Sequence, residues 1–312
     1  MKEEILVRLL DAWPDRVSGQ ELGQALGVTR AAVWKSIEAL RAEGFDIESA
    51  PGGGYRLLSA PNRVRQSLIQ QQLTTISLGR VMTVLDETGS TNAVLRERAA
   101  AGAVHGETVI ARRQTAGRGR LGRTFFSPPD GGVYLSVLLS HGFDPTQVTI
   151  RAAAAAHRAI CSLCGLTGSI KWVNDLQLDG RKVCGILTEG LFELETGAMT
   201  GAVCGIGVNV GGSFPPELRE IAGTLPDDTD KNALAAAVLN ELEHCLSLNF
   251  EQVLDYYRLY CPLPGHAVTV HPIGAEPYEA RAVSIDNQGR LVVDRGGELI
   301  ALPGGEVSLH RE

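Results

Sequence analysis

The stretch Arg112–Gly132, "RRQTAGRGRLGRTFFSPPDGG", decides between two classes of fold. Its residues 117–122, "GRGRLG", match the glycine fingerprint of a dinucleotide-binding fold. That fingerprint requires a helix at its last glycine and an acidic residue about 20 positions further on. Here Pro128 and Pro129 follow instead, and then the strand "VYLSVLLS", which contains no acid. The sequence therefore argues against a Rossmann cofactor loop.

Three arginines, Arg118, Arg120 and Arg123, alternate with the glycines of this stretch. Arginine pairs with carboxylates and phosphates, and glycine lets the backbone approach a ligand closely. Such a loop can surround two anions, neutralise both and become ordered around them. The alternative interpretation is a solvated basic loop without a ligand.

The 312 residues predict two or three domains, and 44% hydrophobic with 21% charged residues is typical of a soluble globular protein. A net charge of −7 argues against a chain coated with nucleic acid, although it allows one local DNA-binding face. The first residues lack a signal-peptide pattern, and no apolar run of about 18 residues occurs. We therefore expect a cytoplasmic protein without a membrane segment.

The six cysteines are scattered along the chain, which predicts reduced thiols. Cys161 and Cys164 form a C-x-x-C in an alanine-rich segment. Without a second pair or suitably spaced histidines, this pattern favours helix packing over a zinc or redox site.

Residues 1–62 have the element order of a winged helix-turn-helix: a helix, a second helix capped by Ser18, a third capped by Thr29, and a hairpin at "PGGG". The third helix is expected to enter the major groove. The DNA-binding candidates are Thr29, Arg30, Ala31, Lys35 and Arg56. The first 60 residues carry seven basic and nine acidic side chains, a net charge of 7 − 9 = −2, so a protein-contact domain is the alternative.

Residues 63–262 mix strands and helices with hairpins, which predicts an α+β domain. "KWVNDLQLDGRKVCGILTEG" is expected to form two strands around the Asp179–Gly180 turn, with Asn174 and Asp175 on opposite faces. A polar insert at 211–230 has the length of a lid or binding loop. Residues 263–312 alternate short strands and turns, which predicts a small β-barrel.

Five motifs occur together in a recognisable order: "GSTN" (89–92), "QTAGRGRLGRTFFSP" (114–128), "KWVNDL" (171–176), "GRKVCGIL" (180–187) and "GIGVNV" (205–210). In order and spacing they resemble the biotin protein ligases. The N-terminal "GVTRAAVWKSIEALRAEGFDI" and the C-terminal "GEVSL" resemble the bifunctional form, the biotin operon repressor. The resemblance covers essentially the whole chain. It implies a winged helix-turn-helix, a mixed α/β ligase domain similar to class II synthetases, and a C-terminal SH3-like barrel.

The family joins biotin to ATP with Mg²⁺, giving biotinyl-5′-adenylate, and then transfers biotin to a lysine of a biotin carboxyl carrier domain. The resemblance also implies an adenylate-bound homodimer that represses transcription at operator DNA. It implies catalytic roles for Lys182, Arg118, Arg120 and Asp175. The implied biotin-binding residues are Ser90, Thr91, Asn92, Gln114, Gly117, Arg118, Gly119, Arg120, Lys182, Gly185 and Gly205. The implied ATP- or adenylate-binding residues are Arg123, Phe125, Lys171, Asn174, Val208 and Asn209.

The chain departs from the family at Val173, where Pro is common, and at Phe125, where Trp is common. Phenylalanine can still stack on adenine but lacks the indole N–H donor.

Three alternatives stay open: a ligase that no longer represses, a lipoate-type ligase, and a ligand-sensing repressor without ligase activity. For Ser90 and Thr91 a plain helix cap is an equally good interpretation of "GSTNAVL" taken alone.

Overall fold

The computed structural model describes residues 1–50, 52–141, 144–193, 195–272, 274–302 and 306–309. The N-terminal unit has three helices and a two-stranded antiparallel sheet, with bounds α1 Lys2–Asp11, α2 Gly19–Leu26, α3 Arg30–Ala42, β1 Asp46–Ala50 and β2 Gly54–Ser59. Ser18 and Glu21 form the expected capping box, and Thr29 caps α3 through the Ala32 amide. Gly27 ends α2 in the left-handed conformation, at φ 64°. The predicted helix-hairpin order is confirmed.

The middle of the chain forms a seven-stranded sheet flanked by helices. Its strands are β3 Met82–Leu85, β4 Thr108–Ala111, β5 Gly132–Leu139, β6 Ser169–Lys171, β7 Asp175–Leu178, β8 Arg181–Phe192 and β9 Met199–Asn209. Its helices are α4 Gln66–Gln71, α5 Thr91–Ala100, α6 Val148–Cys164, α7 Lys231–Ser247 and α8 Phe250–Tyr260. The strand order is β3-β4-β5-β9-β8-β7-β6, and β3–β4 is parallel. Residues 169–192 form three strands instead of the expected two, because Trp172, Val173 and Asn174 turn the chain back.

Both faces of this sheet are covered. One face packs against α6 and α7, and Val137 and Cys204 belong to this large core. The other face packs against α5, where Leu138 and Val203 meet Leu95 in a smaller core. Strand β5 is buried along its entire length, so its sequence shows no polar–apolar alternation. The α5 side of the sheet holds the candidate site.

The C-terminal unit is an antiparallel sheet of β10 Ala267–His271, β11 Tyr278–Ile285, β12 Leu291–Arg295, β13 Glu298–Leu302 and β14 Glu306–Leu309. The strand order is β13-β12-β11-β10-β14, so within the described ranges the two edge strands do not pair and the sheet is open. The expected barrel closure is therefore not found. The sheet shares the large core of the central domain, and the Trp172 indole donates to the Gly289 carbonyl at 3.0 Å.

A short connection of residues 60–65 joins the N-terminal unit to the sheet domain. Arg65 is buried, and its guanidinium donates to Glu3 at 3.0 Å and pairs with Glu43. The same guanidinium lies over the Phe45 ring, 4.6 Å from its centroid. On the other side, Arg63 pairs with Asp130 at 2.9 Å, at the end of the arginine-glycine stretch. The connection is therefore held by ion pairs to both domains.

Two expectations concern absences. Among the described residues, no helix is long and apolar enough to cross a membrane. The six cysteines are free thiols in the structure. The described ranges also contain no group of three or more His, Cys, Asp or Glu side chains placed to hold a metal ion, and Cys161 and Cys164 lie in α6.

Candidate active site

Residues 112–132 fold as a loop that leaves the sheet after β4 and returns into β5. Single backbone bridges join Gln114 to Ser127 and Arg118 to Thr124, so the two halves of the loop run alongside each other. Its tip is a short 3-10 turn at Arg120–Gly122, in which Leu121 has φ 56°. A strand, and no helix, follows it. The rejection of a dinucleotide-binding turn is confirmed.

Two adjoining cavities open beneath this loop on the α5 side of the sheet. The smaller has an empty volume of about 430 Å³, including open solvent at its mouth. Its lining holds eleven of the predicted residues: Ser90, Thr91, Asn92, Gln114, Arg118, Gly119, Phe125, Asn174, Lys182, Gly185 and Gly205. The larger, about 1490 Å³ on the same measure, is lined by the predicted Gly119, Arg120, Arg123, Phe125, Lys171, Asn174, Asp175, Lys182 and Asn209.

Four residues line both cavities: Gly119, Phe125, Asn174 and Lys182. Lys182 brings a cation to this junction, with Nζ 2.7 Å from Asp175 Oδ1 and 5.7 Å from the Phe125 ring centroid. A two-anion condensation needs a positive charge at the point where the two reacting groups meet. The junction provides that charge.

Lys182 is held in place by its backbone. It follows the tight Asp179–Gly180 turn, whose φ values are 49° and 73°. Its amide donates to the Ile221 carbonyl and its carbonyl accepts from the Gly223 amide, both at 2.8 Å. The predicted lid segment 211–230 is thus attached directly to the strand that carries the lysine.

The junction is open because glycines lie beneath the Phe125 ring. Gly185 and Gly207 are paired neighbours on β8 and β9. A Cβ added to Gly207 would come within 2.5 Å of the ring, and one added to Gly185 would meet both the ring and Lys182. Larger residues at either position would displace the ring or the lysine.

A hydrogen-bonded cluster forms the inner end of the smaller cavity. Gln114 Oε1 accepts from the Thr91 amide at 2.9 Å, and Gln114 Nε2 donates to Ser127 Oγ at 3.0 Å. Ser127 in turn donates to the Phe125 carbonyl at 3.1 Å. Ser90 is the residue before α5, but in the described residues its side chain makes no capping bond. Ser90 is thus the N-cap residue of α5 by position only, and it also lines the smaller cavity.

A second set of polar groups lies behind Thr91. The Ser136 hydroxyl, fully buried on β5, is 2.7 Å from Thr91 Oγ1 and 2.6 Å from Asn92 Oδ1. Asn92 Nδ2 donates to the Leu187 carbonyl at 3.2 Å and to Glu189 Oε2 at 2.7 Å. Both ends of the Asn92 amide are thus engaged by the protein.

The larger cavity is more polar and cationic. Arg120 donates to Asn174 Oδ1 at 3.3 Å, while Asn174 Nδ2 donates to the Ile186 carbonyl at 2.8 Å. At its far wall the Phe126 and Phe214 rings lie 6.1 Å apart, the latter from the lid segment. Its volume and its several cations suit a nucleotide.

One expectation about side-chain direction needs correction, and three predicted residues lie away from the smaller cavity or its lining. Asn174 and Asp175 do not point to opposite faces: Asn174 precedes β7, so strand alternation does not apply, and both line the larger cavity. The Val208 side chain is fully buried in the large core. Arg120 lines the larger cavity alone, and Gly117 is buried under the Phe125 backbone instead of lining either.

Asn209 is 5% exposed at the edge of the larger cavity. Its amide donates to the carbonyls of Gly223, at 3.0 Å, and Lys182, at 3.4 Å. It therefore ties the lid segment to the strand that carries the lysine.

The sequence reasoning missed several lining and supporting residues. Tyr134 lines the smaller cavity with its ring edge toward Phe125, at 6.4 Å. Burial, and to a lesser degree the nearby Asp130 carboxylate, raises the pKa of Tyr134, so the hydroxyl stays neutral and donates to the Pro128 carbonyl at 3.3 Å. Ser136 and Glu189 were also missed. No periodic signal marks Ser136, since β5 is buried along its entire length. Glu189 lies on β8, outside the five motifs.

The DNA-binding candidates lie on the N-terminal unit. Four of them, Thr29, Arg30, Ala31 and Lys35, are exposed at the start of α3 or just before it, with Trp34 beside them. The Thr29 hydroxyl caps α3, accepting from the Ala32 amide at 3.2 Å. Arg56 on β2 pairs with Glu48 at 2.7 Å, so the charge it offers to a phosphate is partly neutralised.

Comparison with known families identifies three segments. Residues 84–209 match the biotin/lipoate A/B protein ligase family, residues 2–56 match an HTH domain, and residues 265–310 match the biotin protein ligase C-terminal domain. The first match contains all the residues at the junction of the two cavities.

Two known proteins resemble the chain over nearly its whole length, and a solved structure resembles three quarters of it. The bifunctional ligase/repressor BirA of Bacillus subtilis is 30% identical over 308 residues, covering 94% of each chain. BirA of Escherichia coli is 33% identical over 304 residues, covering 94% of this chain and 92% of its own. The solved biotin protein ligase from Aquifex aeolicus, in complex with biotin and ATP, superimposes with a TM-score of 0.64 at 27% identity, over 75% of this chain and 100% of that one. The chain belongs to the biotin protein ligase family, in the form that carries an N-terminal helix-turn-helix domain.

Proposed function

We propose that the protein is a bifunctional biotin–[acetyl-CoA-carboxylase] ligase and transcriptional repressor. It forms biotinyl-5′-adenylate from biotin and ATP and transfers biotin to a lysine of a biotin carboxyl carrier domain. The relatives named for both activities and the match to an HTH domain support this assignment. The observation that carries it is the junction of the two cavities, where Lys182 and Phe125 line both.

The smaller cavity takes biotin. Its inner end is polar and neutral, with Thr91 and Gln114 facing a head group that has N–H donors. Asn92, Gly185 and Gly205 shape its walls, and Ser90 adds a hydroxyl. The valeryl chain then runs toward the junction, so that its carboxylate meets Lys182. A lipoate ring offers no N–H groups to these acceptors, which favours biotin.

The larger cavity takes ATP. Arg120 and Arg123 line it and neutralise the phosphates, while Lys171, Asn174 and Asn209 are further polar contacts. Phe125 lies at the junction, where its ring can stack on a base, and Arg118 closes over the carboxylate from the smaller cavity. Two carboxylates, Asp175 and Glu220, line this cavity, with Asp175 beside Lys182. They would hold a magnesium ion brought in with ATP, because a phosphate-bound magnesium ion needs only one or two protein carboxylates.

The reaction at the junction joins two anions. Lys182, Arg118 and Arg120 reduce the repulsion between the biotin carboxylate and the α-phosphate and stabilise the charge that develops on the phosphate. Attack of a carboxylate oxygen on the α-phosphorus forms the mixed anhydride and releases pyrophosphate. In the second step the amine of the carrier lysine attacks the acyl carbon and AMP leaves. Asp175, which lies 2.7 Å from Lys182, is the proposed group that orients this amine.

The adenylate must be kept from water until the carrier arrives. The arginine-glycine loop covers the junction from one side. The lid segment 211–230 covers it from the other, and its exposed Ile221 lies at the rim of the larger cavity. Ordering of both around the adenylate is the proposed link to a homodimer, which would place two copies of α3 on a two-fold operator.

The proposed domains are residues 1–62, 63–262 and 263–312. The three matched segments, 2–56, 84–209 and 265–310, fall inside them. We assign the central domain to the class II synthetase-like type and the C-terminal domain to the SH3-like type, with its sheet left open between β13 and β14 in the described residues. Thr29, Arg30, Ala31, Lys35 and Arg56 form the proposed DNA face, with Arg56 the weakest member because of its pair with Glu48.

The test is incubation of the full chain with biotin, MgATP and a biotin carboxyl carrier domain, with the mass of the carrier as the readout. The carrier should gain one biotin, and lipoate in place of biotin should leave it unmodified. Biotin-dependent exchange of labelled pyrophosphate into ATP reports the first step separately. A carrier that stays unmodified while adenylate accumulates would point to a sensor without transferase activity.

A further inference from the structure

The polar groups behind Thr91 do not at first show which hydroxyl donates in each hydrogen bond. Thr91 and Ser136 each have one hydroxyl hydrogen, and each has two oxygen neighbours at contact distance. Ser136 Oγ is 2.6 Å from Asn92 Oδ1 and 2.7 Å from Thr91 Oγ1, and Thr91 Oγ1 is 3.1 Å from Gln114 Oε1. Two hydrogens therefore serve three contacts, and one contact is left without a hydrogen.

The two ends of this series of hydrogen bonds are fixed by groups that can only accept or only donate. Glu189 and the Leu187 carbonyl only accept, so they hold the NH₂ end of Asn92 and turn its Oδ1 toward Ser136. At the other end, the Thr91 amide only donates, so Gln114 Oε1 faces Thr91. Neither amide can be reversed without setting acceptor against acceptor or donor against donor.

The distances then decide where the two hydrogens lie. Two oxygens at 2.6 or 2.7 Å are closer than van der Waals contact and need a hydrogen between them, whereas oxygens at 3.1 Å tolerate its absence. Since Asn92 Oδ1 cannot donate, Ser136 donates to Asn92 and Thr91 donates to Ser136. Thr91 Oγ1 and Gln114 Oε1 are left as two acceptors side by side, and both line the smaller cavity.

We infer that Ser136, oriented by Asn92 and Glu189, is a specificity-determining positioning residue of the biotin site. By taking up the Thr91 hydroxyl hydrogen, it keeps an acceptor pair ready for the N–H groups of a cyclic urea. Ser136 is fully buried and does not line the cavity, so it acts through Thr91. This inference rests on the proposed function, because it assumes that the smaller cavity binds biotin.

Replacing Ser136 removes the alternative partner of Thr91. In Ser136→Ala the Thr91 hydroxyl turns to Gln114 Oε1, and the acceptor pair becomes an internal hydrogen bond. A ligand with N–H donors then loses the Gln114 Oε1 acceptor, because that oxygen already accepts from the Thr91 amide and the Thr91 hydroxyl, whereas a ligand with ring oxygens in their place loses none. Glu189→Ala acts in the same direction more weakly, because the Leu187 carbonyl still holds Asn92. Glu189→Gln is the matched control, since its amide oxygen can still accept from Asn92.

The experiment measures dissociation constants of the full chain by calorimetry. The two ligands are biotin and a biotin analogue whose ring N–H groups are both replaced by oxygen, a cyclic carbonate. We expect Ser136→Ala to weaken biotin about tenfold, the effect of one to two neutral hydrogen bonds, and to leave the carbonate within about twofold. The biotin preference should fall about threefold in Glu189→Ala and stay near wild type in Glu189→Gln.

The outcomes separate the two proposals. A wild-type chain that binds no biotin overturns the proposed function and this inference with it. Biotin binding with an unchanged preference in Ser136→Ala, or an equal loss for both ligands, overturns the inference alone, because it indicates a merely structural role. Thermal unfolding checks that each variant is folded, and if Ser136→Ala is not, the Glu189 pair decides.

Discussion

Removal of the Lys182 charge tests the electrostatic basis of the proposed reaction. Lys182→Ala deletes the cation at the junction and leaves Asp175, formerly 2.7 Å from Nζ, without its partner. The lysine side chain is 33% exposed, so its field is partly screened by water. For a charge about 3 Å from the reacting carboxylate, an effective dielectric constant of about 20 gives an attraction of about 5 kcal/mol.

Lys182 stabilises the bound substrates as well as the transition state, so only the difference between the two stabilisation energies affects the rate. Screening reduces the loss to about 3–4 kcal/mol, comparable to removal of one oxyanion donor, which corresponds to a rate about 10²–10³ times lower. Affinity for biotin should fall as well, because Lys182 attracts the bound carboxylate, but by less than the rate, since the polar head group keeps its own contacts at the far end of the cavity. Lys182→Ala/Asp175→Asn should recover part of the rate, since it removes the uncompensated carboxylate.

The assay is single-turnover formation of biotinyl-5′-adenylate, with biotin affinity measured in parallel. Lys35→Ala on α3 is the matched control: it is the same substitution at an exposed lysine outside the ligase domain, and the adenylation rate should not change. If folded Lys182→Ala formed the adenylate within threefold of the wild-type rate, the charge at the junction would not be needed. The proposed mechanism would then be wrong.

Three further predictions concern other parts of the molecule. Gly207→Ala places a methyl group against the Phe125 ring, so the KM for ATP should rise about tenfold in a pyrophosphate-exchange assay. Burial lowers the pKa of His157, so below about pH 6.5 the unfolded state binds a proton that the folded state does not, and the protein becomes less stable as the pH decreases. His157→Gln should therefore lose less Tm than wild type when the pH is lowered from 7.5 to 5.5. Arg65→Ala should lower the free energy of unfolding by about 1–3 kcal/mol, measured by urea denaturation, because it removes a buried guanidinium from two carboxylates; an unchanged midpoint would contradict that role.

Local signals in the sequence predicted the elements whose shape depends on near neighbours. Ser18 and Glu21 formed their capping box, and the prolines after the glycine stretch excluded a crossover helix. Motif resemblance brought together residues from five separate motifs, and eleven of them line one cavity. These predictions succeeded because capping, turns and motif spacing are properties of short stretches.

Long-range packing decided the features that were missed. Asn174 was assigned to a strand, but the chain turns at Trp172–Asn174, and that turn depends on contacts with the C-terminal sheet. Val208 lies in the motif "GIGVNV", yet its side chain points into the core while its neighbour Gly207 faces the site. Ser136 is one polar residue in an apolar strand, and only the tertiary structure shows which hydroxyl it serves.

The pairing of Arg65 with two carboxylates across the domain boundary has a practical consequence for anyone who wishes to study the ligase alone. A chain cut after residue 62 keeps this guanidinium but loses Glu3, Glu43 and the Phe45 ring that cover it. The shortened enzyme would expose an unpaired cation next to Arg63, whose partner Asp130 belongs to the arginine-glycine loop. Lower activity of the shortened enzyme would therefore reflect the lost ion pairs of Arg65 as well as the loss of the DNA-binding unit. Point substitutions on α3 are the cleaner way to separate the two activities.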